Sequence, residues 1–521
     1  MSELIPSAMD NKIAKYDPYL KYTPLPQGHI RLLKIHESST AWNIEENPNT
    51  WNLEQEIEIS LISLPLDECP PYITLSYTWG EPGPFVDPTT SIFTQVPRCF
   101  PFKCHGKLVL ATRNLRNVLR RLRQFEYIQK LAPADTPLGK MAADLAHYNK
   151  NVYTYWIDAI CVDQDNLRER SEQVLLMSRI YRQAQCTIAW LGERDAYTAP
   201  AMQALMKISG FNPENGSTSS SKSGTVRYTF NGLQSLHDSE LTALAMLMAR
   251  SWFTRTWILQ EAVLAESVVV TLGSIFMGFE LLLTVGTVLN LSRSSRRLLG
   301  HFLERQGEAK LFSMFINSPD HISRSPIALA VMDSCRLTLK SHQKPNFMAA
   351  AGMVRLCEST DPRDRIYGIL GIASEFDVSN GIAHKPDYSL TVVEVYVRAT
   401  ASVIETRGDL ACLTLVCDSS FKRFKNLPTW CPDYSAPIGP LKDYNEITRT
   451  WRLGLTWSDA QIPKVFGTSL LGVDGIMIDV VTDTATIKED RENKGAKHGV
   501  AALFNLAAQL KDQGSRDSPI R

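Results

Sequence analysis

Apolar and polar side chains alternate from Ile57 to Leu64 (IEISLISL), which predicts a strand with one buried face. Ile30 to Leu33 gives a second, shorter strand candidate. Tyr72 to Trp79 (YITLSYTW) is β-branched and aromatic and stops at Gly80-Glu81-Pro82-Gly83, so it reads as a strand ended by a turn. Residues 81–104 read as a long loop, and Lys107 to Ala111 as a short strand. Thr112 then caps a helix whose Leu115, Val118, Leu119 and Leu122 share one face. The run from Tyr153 to Val162 is almost wholly apolar, the pattern of a central parallel strand buried on both sides. Val174, Met177, Ile180, Tyr181 and Ala184 recur at helical spacing, and Cys186 to Leu191 closes a strand–helix–strand unit. A helical pattern resumes at Leu241 and runs, with a break near Ser251, to Ala265. The strand Val268 to Leu272 completes this half.

Beyond about 295 the pattern becomes helical and mixed, with a β-rich stretch at 464–483. The expected organisation is an N-terminal extension (1–50), an α/β domain with a parallel sheet core (51–295), an α-rich C-terminal region with a few strands (296–510) and a frayed tail (511–521). An insertion near 211–228 interrupts the first domain, because Asn215 to Gly224 (NGSTSSSKSG) offers nothing apolar to offset its ordering entropy. The length of 521 residues itself favours more than one packing unit.

Composition narrows the function classes. Lys+Arg and Asp+Glu number 55 each, so no net field draws the chain to nucleic acid or to an anionic membrane. Apolar residues make up 44% and charged residues 21%, the balance of a globular protein. The ten cysteines are scattered without a CxxC pair, which fits free thiols in a reducing compartment. The start of the chain lacks an apolar signal core. Glu280, Gly273 and Gly278 break the apolar stretch Ser267–Leu291 into a strand, a turn and a helix rather than a membrane span. A cytoplasmic location is expected. P-loop, HExxH and GxSxG motifs are missing from the sequence.

Three blocks carry more specific information: Leu75 to Gly80 (LSYTWG), Trp156 to Gln164 (WIDAICVDQ) and Arg250 to Glu261 (RSWFTRTWILQE). The second continues through Glu169 to Val174, Ile180-Tyr181 and Trp190-Leu191-Gly192. In order and spacing these blocks resemble the heterokaryon-incompatibility (HET) domain of filamentous fungi, over roughly residues 22–275. Thr78 and Val162-Asp163 depart mildly from the commonest family residues. Asp361 to Gly368, Asp387 to Ser389 and Leu427 to Ser435 look like regions that follow such domains. The resemblance implies vegetative incompatibility, in which fused, genetically unlike hyphae die. It also implies a TIR- and flavodoxin-like core, in which Trp257-Ile258-Leu259-Gln260-Glu261 has the Trp-x-x-x-Glu spacing of TIR enzymes that hydrolyse NAD.

Glu261 is therefore the candidate catalytic residue, since N-glycosidic cleavage needs a carboxylate near the ribose. One helical turn separates it from Trp257, so both side chains are expected in one crevice. The structural alternative is an ion pair with Arg255 or Arg250. Tyr77, Thr78, Trp79 and Gly80 lie at the carboxyl end of a strand, where open sheets gather ligands. Trp79 is placed to stack on a base and Gly80 to admit a phosphate, or both aromatics simply belong to the core. Asp158, Asp163 and Gln164 end the next strand. Asp158 needs partners inside an apolar run and can hold a loop or a ribose hydroxyl. Asp163 or Asp165 can cap the following helix. Arg255 is the candidate phosphate ligand, ahead of Arg113, Arg116, Arg120, Arg121 and Arg123 on the basic helix. Arg363-Asp364-Arg365 reads as an ion-pair knot holding a loop against the first domain.

No metal and no tightly bound cofactor is expected; NAD is the candidate substrate. The expected partner is an incompatibility protein or a second copy of the chain, with no nucleic acid. Two functions remain open: a nucleotide-processing enzyme, and a non-enzymatic signalling, assembly or regulatory module.

Overall fold

A computed structural model describes residues 22–36, 57–80, 82–83, 100–131, 137–209, 236–291, 319–376, 385–416, 422–436, 464–466 and 470–472. All of these lie in one compact unit formed by 1–456 and 462–472. Nine strands form one sheet: β1 (His29–Ile35), β2 (Glu58–Pro65), β3 (Ile73–Tyr77), β4 (Phe100–Cys104), β5 (Lys107–Ala111), β6 (Tyr155–Trp156), β7 (Cys186–Trp190), β8 (Val268–Leu272) and β9 (Ile275–Gly278). Their spatial order is β5-β4-β2-β1-β6-β3-β7-β8-β9.

The architecture is α/β, and the sheet is mixed rather than wholly parallel. Only β6, β3, β7 and β8 form a continuous parallel block. The pairs β1–β2, β1–β6, β4–β5 and β8–β9 are antiparallel. Within the parallel block the chain order is second, first, third, fourth. That is the flavodoxin-type winding, whose strand order reverses between the first and third strands, here β3 and β7. All five residues of β3, β7 and β8 are buried, as strands covered on both faces must be.

The helices in chain order are α1 (Arg113–Leu131), α2 (Pro137–Asn149), α3 (Asp158–Cys161), α4 (Leu167–Gln183), α5 (Thr198–Ser209), α6 (Asp238–Met248), α7 (Ile258–Val263), α8 (Phe279–Leu291), α9 (Pro319–Lys340), α10 (Phe347–Val354), α11 (Asp364–Tyr367) and α12 (Val392–Arg407). Thr112 caps α1 by accepting the Leu115 amide (3.2 Å), and the Leu115, Val118, Leu119 and Leu122 face is buried.

Four expectations change. The Tyr153–Val162 run supplies only the two-residue strand β6. Asp158 then opens a helical turn, with the Cys161 amide on the Ile157 carbonyl (2.7 Å), and Ile160 and Cys161 are buried from a helix instead of a strand. A short apolar run meets either demand equally well. The expected loop at 81–104 ends in β4, which pairs in parallel with β2 through Lys103 and Cys104. A two-residue Gly273-Ser274 turn folds β9 back on β8, where only a turn had been expected before the helix. The cap of α4 is Asn166, which accepts the Glu169 amide (3.1 Å), rather than Asp163 or Asp165. The polar stretch at 215–224 and the tail from 511 lie outside the described residues, as does most of 464–483, where β10 (Lys464–Phe466) and β11 (Leu470–Gly472) form a small antiparallel pair. Among the described residues no helix is long and apolar enough to cross a membrane.

Candidate functional site

The carboxyl ends of the parallel strands bring the three sequence blocks together. Ser76, the polar member of the buried run ITLSY, sits on β3 where only a partnered hydroxyl is tolerated. It donates to Glu261 Oε2 through a short hydrogen bond and accepts the Trp252 indole N–H (2.8 Å). Arg255 closes the other side of the carboxylate, with Nη1 on Oε2 (3.0 Å) and Nη2 on Oε1 (3.2 Å). Glu261 is 2% exposed, whereas the Arg255 side chain retains 17%.

Burial is the leading influence on the Glu261 carboxyl and pushes its pKa upward, against the opposing pull of Arg255 and the Ser76 hydroxyl; Asp158 adds to the rise. Burial also works against the Arg255 charge. Glu261 and Asp158 outweigh it and hold the guanidinium above its ordinary pKa. Arg255 thus pairs directly with Glu261 and feels the Asp158 charge as well.

Asp158 is the second carboxylate of this region. Its Oδ2 accepts the Trp79 indole N–H (2.9 Å), its Oδ1 the Ala159 amide (2.7 Å), and its carbonyl the Gln164 side chain (2.8 Å). Trp79 and Asp158 are both half-buried. Thr78 is held from two directions, its carbonyl by Asn114 Nδ2 (2.6 Å) and its hydroxyl by Ser251 Oγ (3.2 Å). Asn114 in turn accepts the Trp190 indole N–H from β7 (2.7 Å). The β3 and β7 ends are thereby locked to the start of α1, at the point where the strand order reverses.

Of the candidate residues, Thr78, Trp79, Asp158, Gln164, Arg255 and Glu261 meet here. Gly80 lies half-buried just beyond them, and Tyr77 is a 2% exposed core side chain on the same strand. Asp163 turns to its own loop: its amide donates to Glu169 Oε1 (2.8 Å) and its carboxylate accepts the Asp165 amide (3.2 Å). Trp257 does not turn to the same partners as Glu261. Its indole N–H reaches the Asp364 carboxylate (3.1 Å), 107 residues downstream. Arg255 is occupied by Glu261, the ion pair that stood as the structural alternative. Arg250 instead binds Asp195 (2.6 Å) and the Leu191 carbonyl (2.7 Å).

Ser76 and Trp252 lie within the sequence blocks, but neither they nor Asn114 were among the candidate site residues. A signal existed for each: a lone hydroxyl in a doubly buried strand, and an indole or amide that burial obliges to find a partner. Among the described residues no cluster of three or more His, Cys, Asp or Glu is arranged to hold a metal ion.

Comparison with known proteins agrees with the second and third of these blocks. Residues 136–261 match the family model described as "Heterokaryon incompatibility protein (HET)", a span that includes Asp158, Arg255 and Glu261. Heterokaryon incompatibility protein 6, OR allele, of Neurospora crassa is 22% identical, over 88% of this chain and 65% of that protein. The chain therefore spans just under two thirds of the length of that relative. No solved structure matches the chain. Residues 136–261 thus resemble the heterokaryon incompatibility (HET) family, and the chain as a whole is similar to a Neurospora heterokaryon incompatibility protein.

Proposed function

We propose that this chain acts in fungal heterokaryon incompatibility, as a self/non-self recognition factor that triggers cell death by cleaving a nucleotide of the NAD type at the Glu261 crevice. The reading is carried by one observation. Ser76, Asp158, Arg255 and Glu261 converge at the carboxyl ends of parallel strands, at the reversal of strand order where open α/β sheets bind ligands. In this reading Trp79 stacks on the base or nicotinamide, Arg255 meets a phosphate and Asp158 holds a ribose hydroxyl. Glu261 steadies the positive charge that develops as the N-glycosidic bond breaks, and water supplies the group that replaces the leaving base. Both Glu261 oxygens accept hydrogen bonds in the structure, so the ligand must displace Ser76 or Arg255 to reach the carboxylate.

The test is NAD turnover by the purified full chain, wild type against Glu261→Gln. Loss of about 10²-fold or more is expected from removing a charge aimed at the transition state. Turnover that survives the substitution overturns the catalytic assignment.

A second reading is favoured by that same double occupancy: the Ser76–Glu261–Arg255 cluster is a structural lock, and the chain works as a signalling or assembly module with an incompatibility protein or a second copy of itself. Cell death on expression, unchanged by Glu261→Gln, is its expected result.

A further inference from the structure

Helix α7, which carries Glu261, has six residues and cannot hold its own geometry, because so short a helix is unstable without tertiary contacts. Its inner side is tied to β3 through Ser76. It also packs on α4 and α9, and the stretch that leads into it, Thr254 to Trp257, is hydrogen-bonded to one downstream segment, 358–371. The Glu358 amide donates to the Thr254 carbonyl, and the Glu358 carbonyl accepts both the Thr256 amide (3.1 Å) and the Thr256 hydroxyl (3.0 Å). This is a parallel bridge centred on Arg255 and Glu358. Trp257 donates to Asp364, and Gln260 Nε2 donates to the Tyr367 carbonyl (3.0 Å). Asp364 is itself fixed by the Tyr388 hydroxyl (2.7 Å), over whose ring the Arg170 guanidinium lies at 4.0 Å.

The seam is closed by residues too small to be replaced. A Cβ on Gly368 would meet the Asp364 carbonyl at 2.8 Å and the Thr256 methyl at 2.9 Å. A Cβ on Gly371 would stand 2.3 Å from that of Ser178 on α4. The far end of α7 is held separately, by Arg336 of α9 on the carbonyls of Ala262 (2.6 Å) and Ala265 (2.8 Å). The backbone position of Arg255 therefore depends on Glu358, while the position of Glu261 depends on Ser76 and on the Arg336 end of the helix.

We propose that segment 358–371 is an autoinhibitory latch: it holds Arg255 against Glu261, and its release from α7 frees the Glu261 carboxylate for a ligand. Asp364, Glu358 and Gly368 are positioning residues in this device, acting through Trp257 and the Arg255 backbone. The inference rests on Glu261 being the working carboxylate of the crevice. It goes further by assigning control of that carboxylate to the C-terminal half of the chain.

The experiment labels carboxylates of the full-length chain with a carbodiimide and a small amine and maps the modified peptides. Wild type is compared with Gly368→Ala, which wedges the seam, and Trp257→Phe, which removes the donor to Asp364. Glu169, buried in an ion pair with Arg31 on β1, is the internal control for general loosening. The latch requires Glu261 to label about tenfold faster in both variants while Glu169 stays protected, the signature of a local opening. Glu261 protected in both variants, or Glu169 rising in step with it, overturns the proposal. NAD turnover measured on the same samples separates the two ideas. Faster labelling with no turnover in any sample leaves the latch and removes the catalytic reading. Unchanged labelling beside Glu261-dependent turnover does the reverse.

Discussion

Two buried arginine–glutamate pairs occupy opposite situations in this molecule. Arg31 of β1 and Glu169 of α4 are each 5% exposed, and every contact around them is constructional. Arg31 Nη1 also donates to the Cys161 carbonyl (3.0 Å), Nη2 to the Thr23 carbonyl (2.7 Å), and Glu169 Oε1 accepts the Asp163 amide (2.8 Å). The pair stitches the first strand to the loop between α3 and α4. Arg255 and Glu261 make the same chemical pair, but at the carboxyl ends of the parallel strands, with Arg255 more exposed, a second carboxylate nearby and a hydroxyl as the remaining ligand. A buried ion pair is therefore not a functional signal in itself. What separates the two is where the strands end and whether the surroundings supply rigid backbone partners or exchangeable side chains.

The comparison is broken most severely on the structural side. Arg31→Met leaves Glu169 buried without its counter-charge, and denaturant unfolding should register a loss of about 3–5 kcal/mol. Glu261→Gln keeps the shape but turns one acceptor oxygen into a donor facing Arg255 or Ser76, and Arg255, more exposed than Arg31, is left with the Asp158 charge nearby. On the proposed reading the substitution should lower nucleotide turnover by about 10²-fold or more, while costing about 1–3 kcal/mol of stability by the same measurement, so the two sites differ in which assay they move. Equal stability loss for Arg31→Met and Glu261→Gln, with no effect of either on turnover or on cell death, would make the two pairs equivalent.

Ser76→Ala sharpens the contrast, because it strips Glu261 of a donor and the Trp252 N–H of its acceptor. About 1–3 kcal/mol should be lost in thermal or denaturant unfolding, together with faster carboxyl labelling of Glu261.

A smaller effect concerns pH. Burial raises the Asp364 pKa from 3.8 to about 6, against the lowering effect of the Tyr388 hydroxyl. Between these two values the folded chain binds more protons at this group than the unfolded chain does. Its contribution to stability is accordingly full below 3.8, declines as pH rises toward about 6, and is level above that. The stability difference between wild type and Asp364→Asn, followed by thermal unfolding across this window, should fall with rising pH. A difference that is flat or rises would contradict the burial of an ionisable Asp364 at the α7 seam. The smallest effect belongs to the exposed pair Arg168–Glu172, where Arg168→Ala should change stability by no more than about 0.5 kcal/mol.

Much of the sheet was legible beforehand. The strands β1, β2, β3, β5, β7 and β8 follow from alternation or from β-branched runs, and α1 from its apolar stripe and the Thr112 cap. The misses share a cause. Phe100 to Cys104 contains Pro101 and too few residues for a clear period, yet β2 on one side and β5 on the other supply its hydrogen bonds. Ile275 to Gly278 becomes a strand because β8 offers an antiparallel edge two residues away. Tyr153 to Val162 is apolar for reasons that serve a strand and a buried helical turn alike. In each case the partner, not the segment, decides the state.

The same division holds for the site. Residue order alone determined an α/β chain, the blocks around Leu75, Trp156 and Trp257, and the identity of Asp158, Arg255 and Glu261 as groups that need partners. These are local matters of side-chain chemistry and periodicity, and they survive in any fold that buries the same faces. Only the tertiary structure decided that Glu261 turns inward to Ser76 while Trp257 turns outward to Asp364, and that Glu358 fixes the backbone of Arg255. Those choices join residues about 100 to 185 positions apart, between elements whose separation in space no local pattern encodes.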